Sequence, residues 1–154
     1  MGKGFGQPSA VPTRNATKFM RAFGQCCAQA KADKKPVNQF LKSNVAKLNN
    51  ALLEALPLVF TKLSTDERLK DRQNVASLFG VFGNALQDFP LGDRALNLEL
   101  SITAYQVALK VFTRDAFPEK WAGTQNNLGN AYRDRIRGER SENVEQAIAA
   151  YELA

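Results

Sequence analysis

The feature that most constrains this chain is an internal repeat with a period of 46 residues. Shifting the sequence by that period places residues 82–86 (FGNAL) on residues 128–132 (LGNAY) without a gap. The match continues through the pairs Asp88 and Asp134, Gly92 and Gly138, Arg94 and Arg140, Asn97 and Asn143, Glu99 and Glu145, Ile102 and Ile148, and Tyr105 and Tyr151. A fixed period of roughly 20–50 residues is typical of repeat architectures. The sequence therefore predicts two copies of one structural unit, residues 72–117 and residues 118–154.

Each unit is predicted to form two helices joined by a turn. Apolar residues recur at helical spacing in four segments, residues 73–88, 95–112, 119–137 and 142–154. Gly83 and Gly129 occupy the same place inside the two first helices, where glycine costs about 1 kcal/mol relative to alanine. We expect a tyrosine or phenylalanine of a neighbouring helix to press onto each of these glycines. Gly92 and Gly138 are expected to form left-handed caps where the first helices end.

The amino-terminal half is also predicted to be helical, because no segment alternates with period two over the length of a strand. A first helix is expected to begin at Asn15 or Thr17 and to run to about Lys34. A second helix is expected over residues 40–63, with a kink or break at Pro57. The sequence thus divides into a flexible segment over residues 1–16, a helical hairpin over residues 17–71 and the repeat pair over residues 72–154.

Short motifs in the second unit carry a family resemblance. Leu128 and Gly129 are followed by Tyr132, and Tyr151 lies between two alanines at steps of four and three residues. These spacings resemble those of the tetratricopeptide repeat family, whose usual period is about 34 residues. With a period of 46 residues, the chain is similar to a longer-repeat variant found in bacterial multi-repeat signalling proteins, sometimes fused to a CHAT domain.

The resemblance implies a fold and a role. Tetratricopeptide arrays are right-handed α-solenoids of helix-turn-helix repeats, so we expect an all-α solenoid whose amino-terminal hairpin covers one end. The last unit stops inside its second helix, and we therefore expect the chain to be the amino-terminal part of a longer signalling protein. Arrays of this family hold partner peptides in a concave groove lined by the first helices. The implied role is that of a scaffold for protein–protein interaction.

The resemblance also indicates which side chains line that groove. The residues expected to contact a partner are Asn84, Gln87, Asn126, Asn130, Arg133 and Arg137. Asn84 and Asn130 stand where the family often places an asparagine that bonds the main chain of a bound peptide, and an amide offers both a donor and an acceptor. Arg133 and Arg137 could add charge-assisted bonds to an acidic partner. The structural alternative is that Asn130 bonds a neighbouring helix instead.

No catalytic or metal-binding constellation is recognisable in the sequence. The chain has no histidine, so the most common general base near neutral pH and a frequent metal ligand are both missing. Cys26 and Cys27 are adjacent, and neighbouring side chains on a helix point about 100° apart, so we expect two structural thiols rather than a disulfide. No glycine-rich phosphate loop occurs. We therefore expect a non-enzymatic protein that uses no cofactor and no metal.

The net charge of +6 is unevenly distributed along the chain. Residues 1–71 carry 12 Lys and Arg against 5 Asp and Glu, whereas residues 72–154 carry 9 against 10. Scattered lysines with few aromatics among them favour an ordinary solvated surface, and binding of nucleic acid or an anionic surface by the basic half is the alternative. A further alternative is self-assembly through the exposed end of the last unit, as a closed homodimer or as a filament of copies stacked head to tail. Closure is favoured, because the amino-terminal hairpin is expected to cover the opposite end.

Neither a secretory signal nor a membrane span is expected. No stretch approaches the roughly 20 apolar residues that a span needs, and the amino terminus lacks an apolar core of about 7–15 residues. The protein is therefore expected to be cytoplasmic and to make no membrane contact.

Overall fold

The computed structural model describes residues 10–65 and 71–154 of the chain. Within these ranges there are seven α-helices, one short 3-10 turn over Val45–Lys47 and no strand. The helices are α1 (Ala10–Ala30), α2 (Lys35–Ser43), α3 (Asn50–Thr65), α4 (Arg72–Asp88), α5 (Arg94–Ala108), α6 (Pro118–Asp134) and α7 (Arg140–Leu153). The prediction of an all-helical fold is confirmed for these residues.

The first helix is longer at its start and shorter at its end than predicted. It begins at Ala10 rather than at Asn15 or Thr17, so the predicted cap is wrong. It ends just before Lys31, whose φ is +52°, a left-handed conformation that stops a helix. Of the segment predicted to be flexible, residues 1–9 lie outside the described part of the chain, and the remainder is helical.

The single second helix predicted over residues 40–63 is in fact two helices, and the break between them does not lie at Pro57, where it was predicted. Pro36 is the second residue of α2, where it is tolerated because the first turn of a helix does not need the N–H that proline lacks. The break runs from Asn44 to Asn49, and the Asn49 side chain then caps α3 by accepting from the N–H of Leu52 (2.9 Å). Pro57 lies inside α3, which continues because its apolar face is buried in the core.

The two repeat units have matching helices. α4 and α6 begin and end 46 residues apart, and α5 and α7 begin 46 residues apart. We call α4 and α5 the first unit, and α6 and α7 the second unit. The predicted bounds hold to within a few residues, although α6 ends at Asp134 rather than at Arg137. Gly92 and Gly138 have φ of 79° and 80°, which confirms the left-handed conformation. They lie in the turn immediately before the second helix of each unit, however, and not at the end of the first.

Each helix packs mainly on helices that are close to it along the chain. α1 packs on α2 and α3, α3 contacts both helices of the first unit, α5 contacts α6, and α6 packs on α7. Aromatic side chains join the amino-terminal helices to α4, with the Phe82 ring 5.8 Å from Phe19 and 5.2 Å from Phe23, and Phe60 5.4 Å from Phe79. A smaller apolar cluster joins the two units through Ile102, Tyr105, Leu128, Ala131 and Ala150.

Candidate functional site

A polar groove of about 430 Å³ lies between the equivalent helices α4 and α6. We call it the α4–α6 groove. Its lining residues are Lys34, Asn84, Gln87, Asp88, Arg94, Asn127, Asn130, Arg133 and Asp134. Three cationic and two anionic side chains in this set leave a formal charge of +1.

Each unit presses a tyrosine of its second helix onto a glycine of its first. A Cβ placed on Gly83 would lie 2.7 Å from Cε1 of Tyr105, and one on Gly129 would lie 2.6 Å from Cε1 of Tyr151. These separations are shorter than van der Waals contact, so only glycine lets the ring lie on the helix backbone. The expectation that an aromatic side chain covers both glycines is confirmed.

The same tyrosines hold the groove asparagines. The Tyr105 hydroxyl donates to Oδ1 of Asn84, and the Tyr151 hydroxyl donates to Oδ1 of Asn130, each at 2.7 Å. The bond from Asn130 to a neighbouring helix, foreseen as the structural alternative, is therefore present. Burial, with a smaller effect of Asp88, raises the pKa of Tyr105, so its hydroxyl stays protonated and continues to donate. No described residue accepts a hydrogen bond from the Nδ2 of either asparagine, which leaves the NH₂ group of each side chain for a ligand.

Two further hydrogen bonds involve groove side chains, and one of them crosses from α6 to α4. Asn127 Nδ2 of α6 donates to Asn84 Oδ1 of α4 at 3.0 Å, so the first helices of the two units are linked directly. The Gln87 Oε1 also lies 2.9 Å from the Tyr105 hydroxyl. A hydroxyl carries one proton, so Tyr105 donates to Asn84 or to Gln87 at any moment and not to both.

The arginines of the groove are partly occupied by the protein itself. Arg94 donates to the carbonyl of Gln87 near the end of α4, and its equivalent Arg140 donates to the carbonyl of Arg133 near the end of α6. Both satisfy carbonyls that a helix end leaves without an internal partner. Arg133 pairs with Asp134 (2.9 Å), and the hydrogen bond that the guanidinium donates to this carboxylate raises the pKa of Arg133. The Arg133–Asp134 pair is largely exposed, so a ligand can displace it at little cost.

The structure brings together four of the six side chains predicted for the groove, namely Asn84, Gln87, Asn130 and Arg133. Asn126 is exposed on α6 outside the groove, and Arg137 lies past the end of that helix. The sequence missed Lys34, which precedes α2 and belongs to neither of the two groove helices. It also missed Asn127, because a shift of one residue turns a helix face by about 100°. The repeat hides Asn127 as well, since its equivalent in the first unit is the apolar Val81.

A second groove, of about 550 Å³, lies between α1 and the amino-terminal half of α4. Its walls include Gly24, Cys27, Ala28, Leu78 and Val81, and it is therefore mainly apolar. Along α4, an apolar surface thus precedes the polar α4–α6 groove.

Comparison with protein-family models, curated proteins and solved structures finds no match. Over the described ranges, no helix is long and apolar enough to cross a membrane. The same ranges contain no group of three or more His, Cys, Asp or Glu side chains placed to hold a metal ion.

Proposed function

We propose that this chain is a non-enzymatic scaffold for protein–protein interaction that holds a partner peptide in the α4–α6 groove. In this proposal the helix pairs stack as a right-handed α-solenoid of tetratricopeptide type, with α1 to α3 covering its amino-terminal end. The resemblance of Leu128, Gly129, Tyr132 and Tyr151 to that family supports the proposal, as do the equal spacing and packing of the two units.

The observation that carries the proposal is the orientation of the two groove asparagines. Each unit fixes its asparagine oxygen with a tyrosine hydroxyl, which leaves the Nδ2 of Asn84 and Asn130 as rigidly placed donors in one groove. An extended peptide presents a carbonyl oxygen at every residue, and two fixed donors suit such a row of acceptors. Fixing the donors beforehand lowers the entropy lost on binding.

The charge of the groove favours a peptide with some acidic character. Lys34 has no ion pair among the described residues, and the ion pair of Arg133 is with the partly exposed Asp134. A peptide carboxylate can replace Asp134 at Arg133 with a charge-assisted hydrogen bond. The apolar groove beside α1 would then accommodate apolar side chains of the same peptide.

A peptide-display selection on the immobilised full chain tests the proposal. Asn130→Asp retains an oxygen for the Tyr151 hydroxyl but removes the Nδ2 donor, so the helix contact is kept while the proposed ligand contact is lost. Asn126→Asp is the matched control, because it adds the same charge to the same helix outside the groove. We expect selected peptides to bind the control as they bind the natural chain and to bind Asn130→Asp at least roughly fivefold more weakly.

Peptides that bind both variants equally well would show that the α4–α6 groove is not the binding site. The alternative of nucleic acid or an anionic surface binding to the basic amino-terminal half predicts a different result. Affinity for a DNA duplex would then fall steeply with salt concentration and would not respond to Asn130→Asp. The cytoplasmic location and the membership of a longer signalling protein both stay predictions.

A further inference from the structure

The outer side of α7 repeats the face of α5 that the second unit covers, but the described residues leave it much more exposed. Leu98 and Ile102 of α5 are 0% and 5% exposed, whereas their equivalents Val144 and Ile148 of α7 are 36% and 50% exposed. Isolated apolar side chains at a surface are ordinary, but these two occupy positions that the same fold buries one period earlier. Together with two neighbouring glutamates they form the α7 outer face, made of Val144, Glu145, Ile148 and Glu152.

The covered face of α5 shows which contact holds the next unit in place. Arg135, immediately past α6, bonds both carboxylate oxygens of Glu99 on α5, at 2.6 and 3.0 Å. Its remaining nitrogen donates to Asn143 of its own unit at 3.3 Å, so the guanidinium is held in position. One period after Glu99 stands Glu145, which is exposed and has no ion pair among the described residues. The carboxylate that would accept from such an arginine is therefore present on α7, but none of the described residues donates to it as Arg135 does to Glu99.

A second polar contact repeats in the same way. Gln106 of α5 donates to the hydroxyl of Tyr132 on α6 at 2.9 Å. Its equivalent on α7 is Glu152, whose carboxylate can accept from a hydroxyl or pair with a cation. The apolar, the ionic and the polar parts of one interface thus recur in the same order on α7.

We propose that the α7 outer face binds a helix pair of the α6–α7 kind, which places an apolar side chain on Ile148 and an arginine on Glu145. The arginine stands just past the end of the first helix of that pair, as Arg135 does after α6. The proposal concerns a surface separate from the α4–α6 groove and does not depend on peptide binding there.

Charge argues against a second copy of this chain as a two-fold partner. Glu139, Glu142, Glu145 and Glu152 lie on or next to α7, and Arg140 is the cation among them. Two such faces brought together would oppose carboxylates with carboxylates, which is destabilising at an interface. An occupant that carries a guanidinium is complementary to this face, so the closed homodimer foreseen from the sequence is disfavoured.

Titration of the ¹⁵N-labelled full chain with an unlabelled polypeptide of residues 109–154 tests the proposal. We expect amide shifts on α7 and roughly tenfold weaker binding by a polypeptide with Arg135→Gln, as for the loss of a charged hydrogen bond. Glu145→Gln in the chain should weaken binding of the natural polypeptide to the same degree, and should not weaken binding of the Arg135→Gln polypeptide any further. Shifts centred on Glu99, which indicate exchange with the second unit, or a dimer of the chain alone in sedimentation would overturn the proposal.

A covalent version keeps the test decisive where the free polypeptide fails to fold. Residues 109–154 are appended after Ala154, which continues the 46-residue period without a gap. We expect a higher melting temperature than that of the original chain, and Glu145→Gln should lower the melting temperature of the extended chain alone. The proposal is contradicted if the extended chain has the same melting temperature as the original chain and Glu145→Gln changes the melting temperature of both chains equally.

Discussion

At the scale of single residues, the glycines of α4 and α6 differ in the atoms that a side chain at each position would meet. Gly83 and Gly129 have a tyrosine ring where a methyl group would be, whereas Gly80 and Gly123 have no such atom within 4 Å. Alanine is favoured over glycine in a helix by about 1 kcal/mol, so an unobstructed site gains stability from the exchange. An obstructed site loses more than that when the ring cannot move.

Gly83→Ala is therefore expected to destabilise the chain by about 1–2 kcal/mol, because the covering Tyr105 is fully buried. Gly80→Ala, in the same helix, is expected to stabilise it by about 0.5–1 kcal/mol. Gly129→Ala should cost less than Gly83→Ala, since Tyr151 is partly exposed and its ring can shift. Urea denaturation measures all three changes. Equal stability of the Gly83 and Gly80 variants would mean that the ring does not rest on the backbone.

Cys27 is expected to be a slow nucleophile. Burial, with a smaller effect of the adjacent Cys26, raises the pKa of Cys27 from 9.0 to about 11. At pH 8 its thiolate population is then roughly 100-fold below that of an unshifted thiol, and alkylation by iodoacetamide slows accordingly. Because folding favours the neutral thiol, its contribution to stability is complete below about pH 9 and is lost as the pH rises through 11. Mass spectrometry of timed samples measures the rate, and a rate equal to that of the denatured chain would contradict the expectation.

Single residues also show where the repeat is imperfect. Asn97 and Asn143 are equivalent and buried, but only Asn143 Oδ1 accepts from an arginine, Arg135, at 3.3 Å. Asn97 Oδ1 has no partner in the described part of the chain. Phe89 stands one period before Arg135, so the first unit has no guanidinium at the equivalent position. The aligned sequence displays the exchange of Phe89 for Arg135. It does not reveal that this exchange decides whether the buried asparagine oxygen has a hydrogen-bond donor.

At the scale of helices, the joint between the two units depends on the ion pair of Glu99 with Arg135, whose side chains are 13% and 25% exposed. Glu99→Gln is expected to cost about 1.5–3 kcal/mol, because it leaves a partly buried guanidinium without its charged partner. Glu145→Gln is the matched control, and its effect should be close to zero, since Glu145 is exposed and has no ion pair in the described chain. Guanidinium salts screen charges, so urea is the proper denaturant. Equal effects of the two substitutions would argue against the joint.

Helix α3 contains a proline that its core packing tolerates. Pro57→Ala is expected to stabilise the chain by about 1 kcal/mol or more, since a proline inside a helix costs about 3 kcal/mol and alanine restores the missing N–H. Leu58→Ala serves as a control and should change little, because that side chain is largely exposed. Thermal melts compare the two. A loss of stability in Pro57→Ala would mean that the proline is needed for the bend of α3.

The boundaries of the helices in the repeat were predictable. For the helices before the repeat, only their helical nature was predictable and their boundaries were not. A period shared by two units gives each boundary two independent signals, which is why α4 to α7 begin close to their predicted positions. The amino-terminal helices have no second copy. Asn44 and Asn49 end one helix and cap the next there, and such side-chain bonds compete with a helix whose apolar spacing continues unbroken.

That the groove lies along the two first helices was predictable, but which face of each helix lines it was not. Asn84 and Asn130 were recognisable because they follow the two glycines at one spacing. Asn127 lines the groove where Asn126 was expected, since helical spacing alone fixes a face to within about one residue, or about 100°. The contribution of Lys34 depends on how the chain before α2 lies against α4, and spacing in the sequence carries no information on that.

At the scale of the whole molecule, stability is expected to be graded along the chain. α7 packs mainly on α6 and buries few side chains, whereas α5 contacts α3, α4 and α6. In repeat arrays stability is approximately a sum of units and of contacts between neighbours, so the end with fewer contacts opens first. Hydrogen exchange followed by NMR should therefore be fastest in α7 and slowest in α4 and α5. Uniform protection of all the helices would indicate a single cooperative unit.

The two joints of the molecule are built from different chemistry, yet temperature acts on both in the same direction. The joint of α1 with α4 is aromatic, with Phe19 and Phe23 on Phe82, whereas the joint between the units adds the ion pair of Glu99 and Arg135. Apolar burial contributes less as water cools, and the cost of desolvating ions falls as water warms. Cooling should therefore loosen both the attachment of α1 and the joint between the units, so the two ends of the array are least firmly attached in the cold.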